Sequence, residues 1–178
     1  MSKATINLYG SITTMSRRVV NVFEDVVSVN VYQKTITLPP GRYRLSIAAK
    51  DVTSGNTTTY EAALDVPNFE EDKLASSSLI LGDTTVPRVS AAFRSTEKLG
   101  IYVQLYHLEN AVIEYQITRN GTNEVVLNYS EETTAAQHLT LKTWLPLTDL
   151  TPGPYTLQLN VTDRAGSIHP SAPFTIVP

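Results

Sequence analysis

Three histidines, His107, His138 and His169, are the only imidazoles in the chain. A histidine metal site on one element needs ligands at i, i+2 or i, i+4 spacing, and none of the three shares one. Isolated histidines of this kind default to surface positions. The serines offer no Gly-x-Ser-x-Gly elbow, and Ser76-Ser77-Ser78 reads as a polar turn before an apolar run. The adjacent carboxylates Glu131-Glu132 and Glu24-Asp25 point to opposite faces of an extended chain. Neither pair can therefore flank one bond as glycosidase chemistry requires. Glu70-Glu71-Asp72 and the surroundings of Asp163 lack the alternating acids of a calcium loop. Glycines stand singly at turns, so no phosphate loop is present. With no cysteine, disulfides, thiolate metal ligands and a thiol nucleophile are excluded. The expectation is no catalytic residue, no metal, no cofactor and no enzyme within these residues.

Aromatic side chains are the best binding candidates, because a flat ring can stack a glycan or a peptide. Tyr60, Tyr102, Tyr106 and Trp144 are the residues singled out for such a role. Tyr43 and Tyr155 have a structural reading instead. Each follows a Pro-Gly-x corner, Pro40-Gly41-Arg42-Tyr43 and Pro152-Gly153-Pro154-Tyr155. A tyrosine there hydrogen-bonds back across the connection in immunoglobulin-like sandwiches. Four sequons, at Asn56, Asn120, Asn128 and Asn160, matter only in a glycosylating host.

The elements that position these residues are strands. Tyr43, Leu45, Ile47 and Ala49 alternate with Arg42, Arg44, Ser46 and Lys50. Tyr155, Leu157, Leu159 and Val161 alternate with Thr156, Gln158, Asn160 and Thr162. Such period-two runs put one face on a core and the other in water. The two runs form one element met twice: Leu38 and Leu150 stand 112 positions apart, as do Tyr43 and Tyr155, and Asp51 and Asp163. Earlier in each copy a hairpin recurs at a separation of 106, with Tyr9 matched to Tyr115 and Phe23 to Tyr129. Asn120-Gly121 between alternating runs is a strong hairpin signal. Thr35–Leu38 and Leu139–Leu141 are expected to supply the strand before each corner.

The fold expected is all-β: two immunoglobulin-like, Greek-key sandwich units in tandem. Residues 1–67 form the first, truncated at its N-terminus and lacking its leading strands. Residues 68–87 are a linker with a short strand around Ser78–Leu81, and residues 88–178 form the second unit. The second has two extra strands ahead of its hairpin, around Arg88–Arg94 and Gly100–His107.

Composition narrows the partners. With 17 acidic and 14 basic residues, a net charge of −3 provides no electrostatic footprint for nucleic acid or an anionic membrane. No run reaches membrane-spanning length, and residues 1–20 hold no secretory core. An incomplete sandwich exposes an open edge, so a protein partner or self-association through the first unit is expected, with a glycan as the alternative ligand.

From Tyr32 to Tyr106 the chain resembles the tail region of the bacterial GWxTD-domain proteins and the related VWFA-related proteins. The resemblance rests on Leu38-Pro39-Pro40-Gly41-Arg42-Tyr43-Arg44-Leu45, Asp51-Val52-Thr53-Ser54-Gly55, Val66-Pro67-Asn68-Phe69, Ser77-Ser78-Leu79-Ile80-Leu81 and Leu99-Gly100-Ile101-Tyr102, in this order. It implies an exported bacterial protein, periplasmic, cell-surface or secreted, whose signal and N-terminal domain lie outside these residues. The Gly-Trp-x-Thr-Asp and Asp-x-Ser-x-Ser motifs are absent, so no functional residue carries over. The function expected is a non-enzymatic structural and interaction module presenting sandwich edges or loops. The alternatives are a carbohydrate-binding accessory module, or the C-terminal part of an enzyme whose catalytic domain lies upstream.

Overall fold

The computed structural model describes residues 5–28, 31–69, 73–82 and 87–178. All regular structure among them is strand, and the chain divides into two units, Met1–Asn68 and Phe69–Pro178.

The first unit holds β1 (Ile6–Thr14), β2 (Val19–Val27), β3 (Gly41–Asp51) and β4 (Thr57–Val66). They form one antiparallel sheet in the order β2-β1-β3-β4. Its apolar face carries Leu8, Gly10 and Ile12 of β1 opposite Ala49, Ile47 and Leu45 of β3, with Phe23 of β2 opposite Gly10. Ala62 and Leu64 of β4 extend this face beside Leu45 and Tyr43. Among its described residues only Ile12, Phe23 and Tyr43 are buried hydrophobics. No second sheet layer forms among its described residues, which build a single sheet.

The expected strand at Thr35–Leu38 belongs to no ladder. Its side chains alternate from Thr35 on: Thr35 and Thr37 are exposed, Ile36 and Leu38 half-buried, while Gln33 and Lys34 ahead of them are both exposed. The pattern suits a strand, but among the described residues no neighbouring strand bonds the segment.

The second unit holds β5 (Ala75–Ser76), β6 (Ile80–Gly82), β7 (Ala92–Arg94), β8 (Lys98–Leu108), β9 (Ala111–Arg119), β10 (Glu124–Thr133), β11 (Ala136–Pro146), β12 (Gly153–Thr162), β13 (Ser167–Ile168) and β14 (Ser171–Val177). One sheet runs β10-β9-β12-β14-β7, with β13 on β12; the other runs β11-β8-β5, with β6 on β8. All pairings are antiparallel except β14 with β7. Leu99, Ile101, Val103, Leu105, Leu141 and Leu145 of one sheet share a core with Ile113, Tyr115, Ile117, Leu157, Leu159 and Ile176 of the other. Two apolar faces meeting this way make a β-sandwich. A fully buried aliphatic side chain contributes about 1.5–3 kcal/mol relative to exposure. The second unit therefore holds most of the chain's hydrophobic stabilisation.

The segment expected to be a linker is part of this unit. Residues 75–76 and 80–82 pair with β8, and Leu79 and Leu81 enter the core. Their alternate burial is what draws them onto the sheet edge.

The first sheet repeats the connectivity β10-β9-β12-β14 of the second unit, but with a corrected register. Ile12 pairs with Leu45, and Ile117 pairs with Leu157. Tyr9 is 47% exposed, whereas Tyr115 is fully buried. The residue standing where Tyr115 stands is Gly10, opposite Phe23 as Tyr115 is opposite Tyr129. Matching the two tyrosines by type thus misplaces β1 by one residue, and a slip of one exchanges the faces of a strand.

Candidate functional site

Both Pro-Gly-x-Tyr corners have the same geometry. The Tyr43 hydroxyl donates to the Pro39 carbonyl at 2.8 Å, and the Tyr155 hydroxyl donates to the Thr151 carbonyl at 2.8 Å. Gly41 and Gly153 have φ of 149° and 148°, a region open to glycine and strained for other residues. At the far end of each strand an aspartate closes the turn. Asp51 Oδ1 accepts from the Thr53 and Ser54 amides at 2.8 and 3.3 Å, and Asp163 Oδ1 accepts from the Ala165 and Gly166 amides at 2.7 and 3.0 Å. The Thr53 amide first, then the Ser54 hydroxyl, holds the Asp51 carboxyl below its usual range. These groups bond within the fold, which is a structural and not a chemical use of them.

Three of the four candidate aromatics share one sheet face. Tyr102 and Tyr106 alternate outward along β8, and Trp144 projects outward from β11 across from Gly100. Phe69 stacks on the Tyr106 ring at 4.2 Å and His138 at 5.1 Å, and the residue is half-buried. Trp144 is 50% exposed with the Lys98 ammonium 5.6 Å from its ring centre. Tyr102, opposite Lys142, is half-buried. Tyr60 lies in the first unit, 60% exposed on β4, opposite Ile47 and on the apolar side of that sheet.

The histidines do not converge. His107 Nε2 lies 2.6 Å from the Phe69 carbonyl, His138 packs on Tyr106, and His169 Nδ1 lies 2.9 Å from Asn160 Oδ1. No group of three His, Asp or Glu is placed to hold a metal among the described residues. Glu70-Glu71-Asp72 lies outside them. Of the adjacent acids, Glu131 accepts the buried Tyr115 hydroxyl, while Glu132 is exposed. Burial first, and this carboxylate second, push the Tyr115 phenol far up.

The least saturated surface is the apolar face of the first sheet. Leu45, Ile47 and Ala49 are only half-buried, whereas Leu157, Leu159 and Val161, which hold the same places in β12, are fully buried. The segment from 31 to 40 touches β2 through Tyr32 and Lys34 and β3 through Pro39, whose carbonyl accepts the Tyr43 hydroxyl. Asp25 accepts from the Tyr32 hydroxyl at 2.5 Å and from Lys34 Nζ at 2.7 Å, and Lys34 sits 5.0 Å from the Phe23 ring centre. Lys34 first, then Tyr32, holds the Asp25 carboxyl below its ordinary range. The Asp25–Tyr32–Lys34 cluster has no sequence signature; only the folding of the 31–40 segment toward β2 brings it together. The outermost strands of this sheet are β2 and β4, and β2 exposes Val19, Val22 and Val26.

No family model matches the chain, and no curated protein is significantly similar to it.

Proposed function

We propose that the chain is a non-enzymatic interaction module of a larger exported bacterial protein, built of two related immunoglobulin-like units. In this reading the first unit offers an open sheet to a protein partner. The observation that carries it is the contrast between half-buried Leu45, Ile47 and Ala49 and fully buried Leu157, Leu159 and Val161. Apolar surface left partly open in this way is what an interaction site uses. Kinship of the units is supported by the shared strand connectivity and by the paired tyrosine corners. The immunoglobulin-like reading is supported by the order β10-β9-β12-β14-β7 facing β11-β8-β5. Export and bacterial origin rest on the resemblance to GWxTD-domain tails alone.

Amide hydrogen exchange tests the open sheet. Exchange at β1 and β3 is expected to be at least tenfold faster than at β9 and β12, with a hydrophobic dye bound by the first unit. Equal protection and no dye binding would remove the basis of the reading.

A second reading, glycan binding, is favoured by half-exposed Trp144 on the same face as Tyr102. Trp144 is the sole tryptophan, so its fluorescence reports directly on any sugar stacked there. An emission unchanged by millimolar oligosaccharides of several linkage classes would dispose of this reading.

A further inference from the structure

We infer that Asn120 is a site of spontaneous deamidation in the folded chain, and that its isoaspartyl product loosens the β9–β10 hairpin where it meets β12.

The turn itself creates the site. The chain reverses between Arg119 and Glu124, and Gly121 takes a φ of 93°, a conformation that glycine adopts without strain. Asn-Gly meets that demand in a hairpin. The same dipeptide is the least hindered setting for attack on an asparagine side chain, since the attacking residue has no side chain of its own. Asn120 is the only asparagine of the chain followed by glycine. Both residues are exposed, and a Cβ built at Gly121 would meet nothing within 4 Å. Among the described residues the Gly121 amide enters no backbone bond of the turn, which is closed by the Asn123 amide donating to the Arg119 carbonyl at 3.1 Å. The Thr156 hydroxyl donates to Asn120 Oδ1 at 2.9 Å. It draws electrons from Cγ and is in place to hold the oxygen as it gains charge. The equivalent turn of the first unit, residues 14–18, contains no asparagine.

The Gly121 nitrogen attacks Asn120 Cγ. The N–Cγ bond forms, the Cγ–Nδ2 bond breaks, and ammonia leaves with the proton of the Gly121 amide. Water then opens the five-membered imide. Addition at Cγ gives aspartate. Addition at the main-chain carbonyl gives isoaspartate, with one extra methylene in the main chain.

The two products differ in what they do to the tip. Aspartate keeps an acceptor facing Thr156. Isoaspartate moves the carboxylate onto Cα and lengthens the chain ahead of Gly121, which takes the acceptor from Thr156 and the Asn123 amide from Arg119. The base of the tip stays anchored. The Asn120 amide donates to the Pro154 carbonyl at 3.0 Å, and the Arg119 guanidinium donates to Thr151 Oγ1 at 2.7 Å and to the Pro152 carbonyl at 3.0 Å. Loosening is therefore confined to the residues that follow Asn120.

The full chain, held in mildly alkaline buffer without denaturant, tests this by peptide mass. Loss of ammonia and uptake of water is expected at Asn120 at least tenfold faster than at any other asparagine, with isoaspartate detected by enzymatic methylation. The rate is expected to rise at least fivefold from neutral to mildly alkaline buffer, because the attacking amide must first give up its proton. Asn120→Gln requires a larger ring and is expected to lower conversion at this position at least tenfold, with circular dichroism unchanged. Amide exchange at residues 121–124 is expected to be at least fivefold faster in the aged chain than in fresh Asn120→Asp, which carries the new charge without the extra methylene. No conversion at Asn120, over a time in which a free peptide of residues 117–124 converts fully, overturns the inference. Conversion spread evenly over the asparagines overturns it too, being the mark of an unfolded chain. Equal exchange in the aged chain and in Asn120→Asp also overturns it, since the turn would then accept the isoaspartyl link without loosening.

Discussion

Gly10 lies directly beneath the ring of Phe23: a Cβ built at position 10 would stand 2.0 Å from Cζ of that ring and 2.5 Å from both Cε atoms. The pair is cross-strand, in register between β1 and β2. An aromatic ring laid over a glycine on the neighbouring strand is a known way to fix a sheet register. In the second unit the same place is taken by Tyr115, tilted against Tyr129 at 5.7 Å between ring centres. There Tyr115 is fully buried while Tyr129 stays 53% exposed. One ring folded over a glycine flattens the face, which suits a sheet without a second layer.

Gly10→Ala is expected to expel the Phe23 ring and to break its contact with Lys34. The cost is about 1–3 kcal/mol, the usual range for overpacking. In a Phe23→Ala background the same substitution should cost much less, because the two residues are in contact and their effects are not additive. Thermal unfolding of the four chains of this cycle, followed on the first unit, measures the coupling. Equal costs in both backgrounds would show that the ring does not depend on the glycine.

The two tyrosine corners support a second expectation. Tyr155→Phe removes the hydrogen bond to the Thr151 carbonyl at 2.8 Å and the longer contact with the Thr151 hydroxyl at 3.4 Å, from a ring that is 1% exposed and stacked on Phe174. A loss of about 1–2 kcal/mol in the second unit follows from the bond and from the carbonyl left without its donor. Tyr43→Phe should act in the first unit and leave the melting of the second unchanged. Calorimetry that separates the two transitions checks both. A Tyr155→Phe chain as stable as its parent would mean that water replaces the hydroxyl at this corner.

Much of the architecture was legible because period-two alternation and Pro-Gly corners are local signals. The runs from Tyr43 and from Tyr155 lie in β3 and β12. The register of β1 was not legible: Tyr9 and Tyr115 look equivalent by type, and only the strand pairing reveals that Gly10 holds the central place. The missing ladder at Thr35–Leu38 was equally hidden, since a strand is defined by its neighbour and not by its own residues. The aromatic face was half legible. Tyr102, Tyr106 and Trp144 can be named as aromatics of the second unit, but only the fold shows that Phe69 and His138, distant in sequence, stack on Tyr106.

The Arg88–Glu97 pair gives the chain a measurable acid sensitivity. Arg88 grips both carboxylate oxygens at 2.8 and 3.0 Å, and the Arg94 amide donates to the same carboxylate at 2.6 Å. Arg88 also donates to the Ala92 carbonyl and lies 4.5 Å from the Phe93 ring centre. The clip therefore secures β7, whose pairing with β14 is parallel. The Arg88 side chain first, then the Arg94 amide, lowers the Glu97 carboxyl to about 2. An unfolded chain returns it to about 4.3. A group depressed by folding contributes its stabilisation above the unfolded value and loses it as pH falls toward the folded one. The contribution is thus complete above pH ~4.5 and gone near pH 2. Both side chains keep roughly a third of their surface in solvent, which screens the pair and holds its worth to at most ~1 kcal/mol. Glu97→Gln should melt earlier than the parent at neutral pH, and the two melting curves should converge as pH falls from about 4.5 to 2. A difference that stays constant over that window would show that the carboxylate charge is not what holds β7 in place.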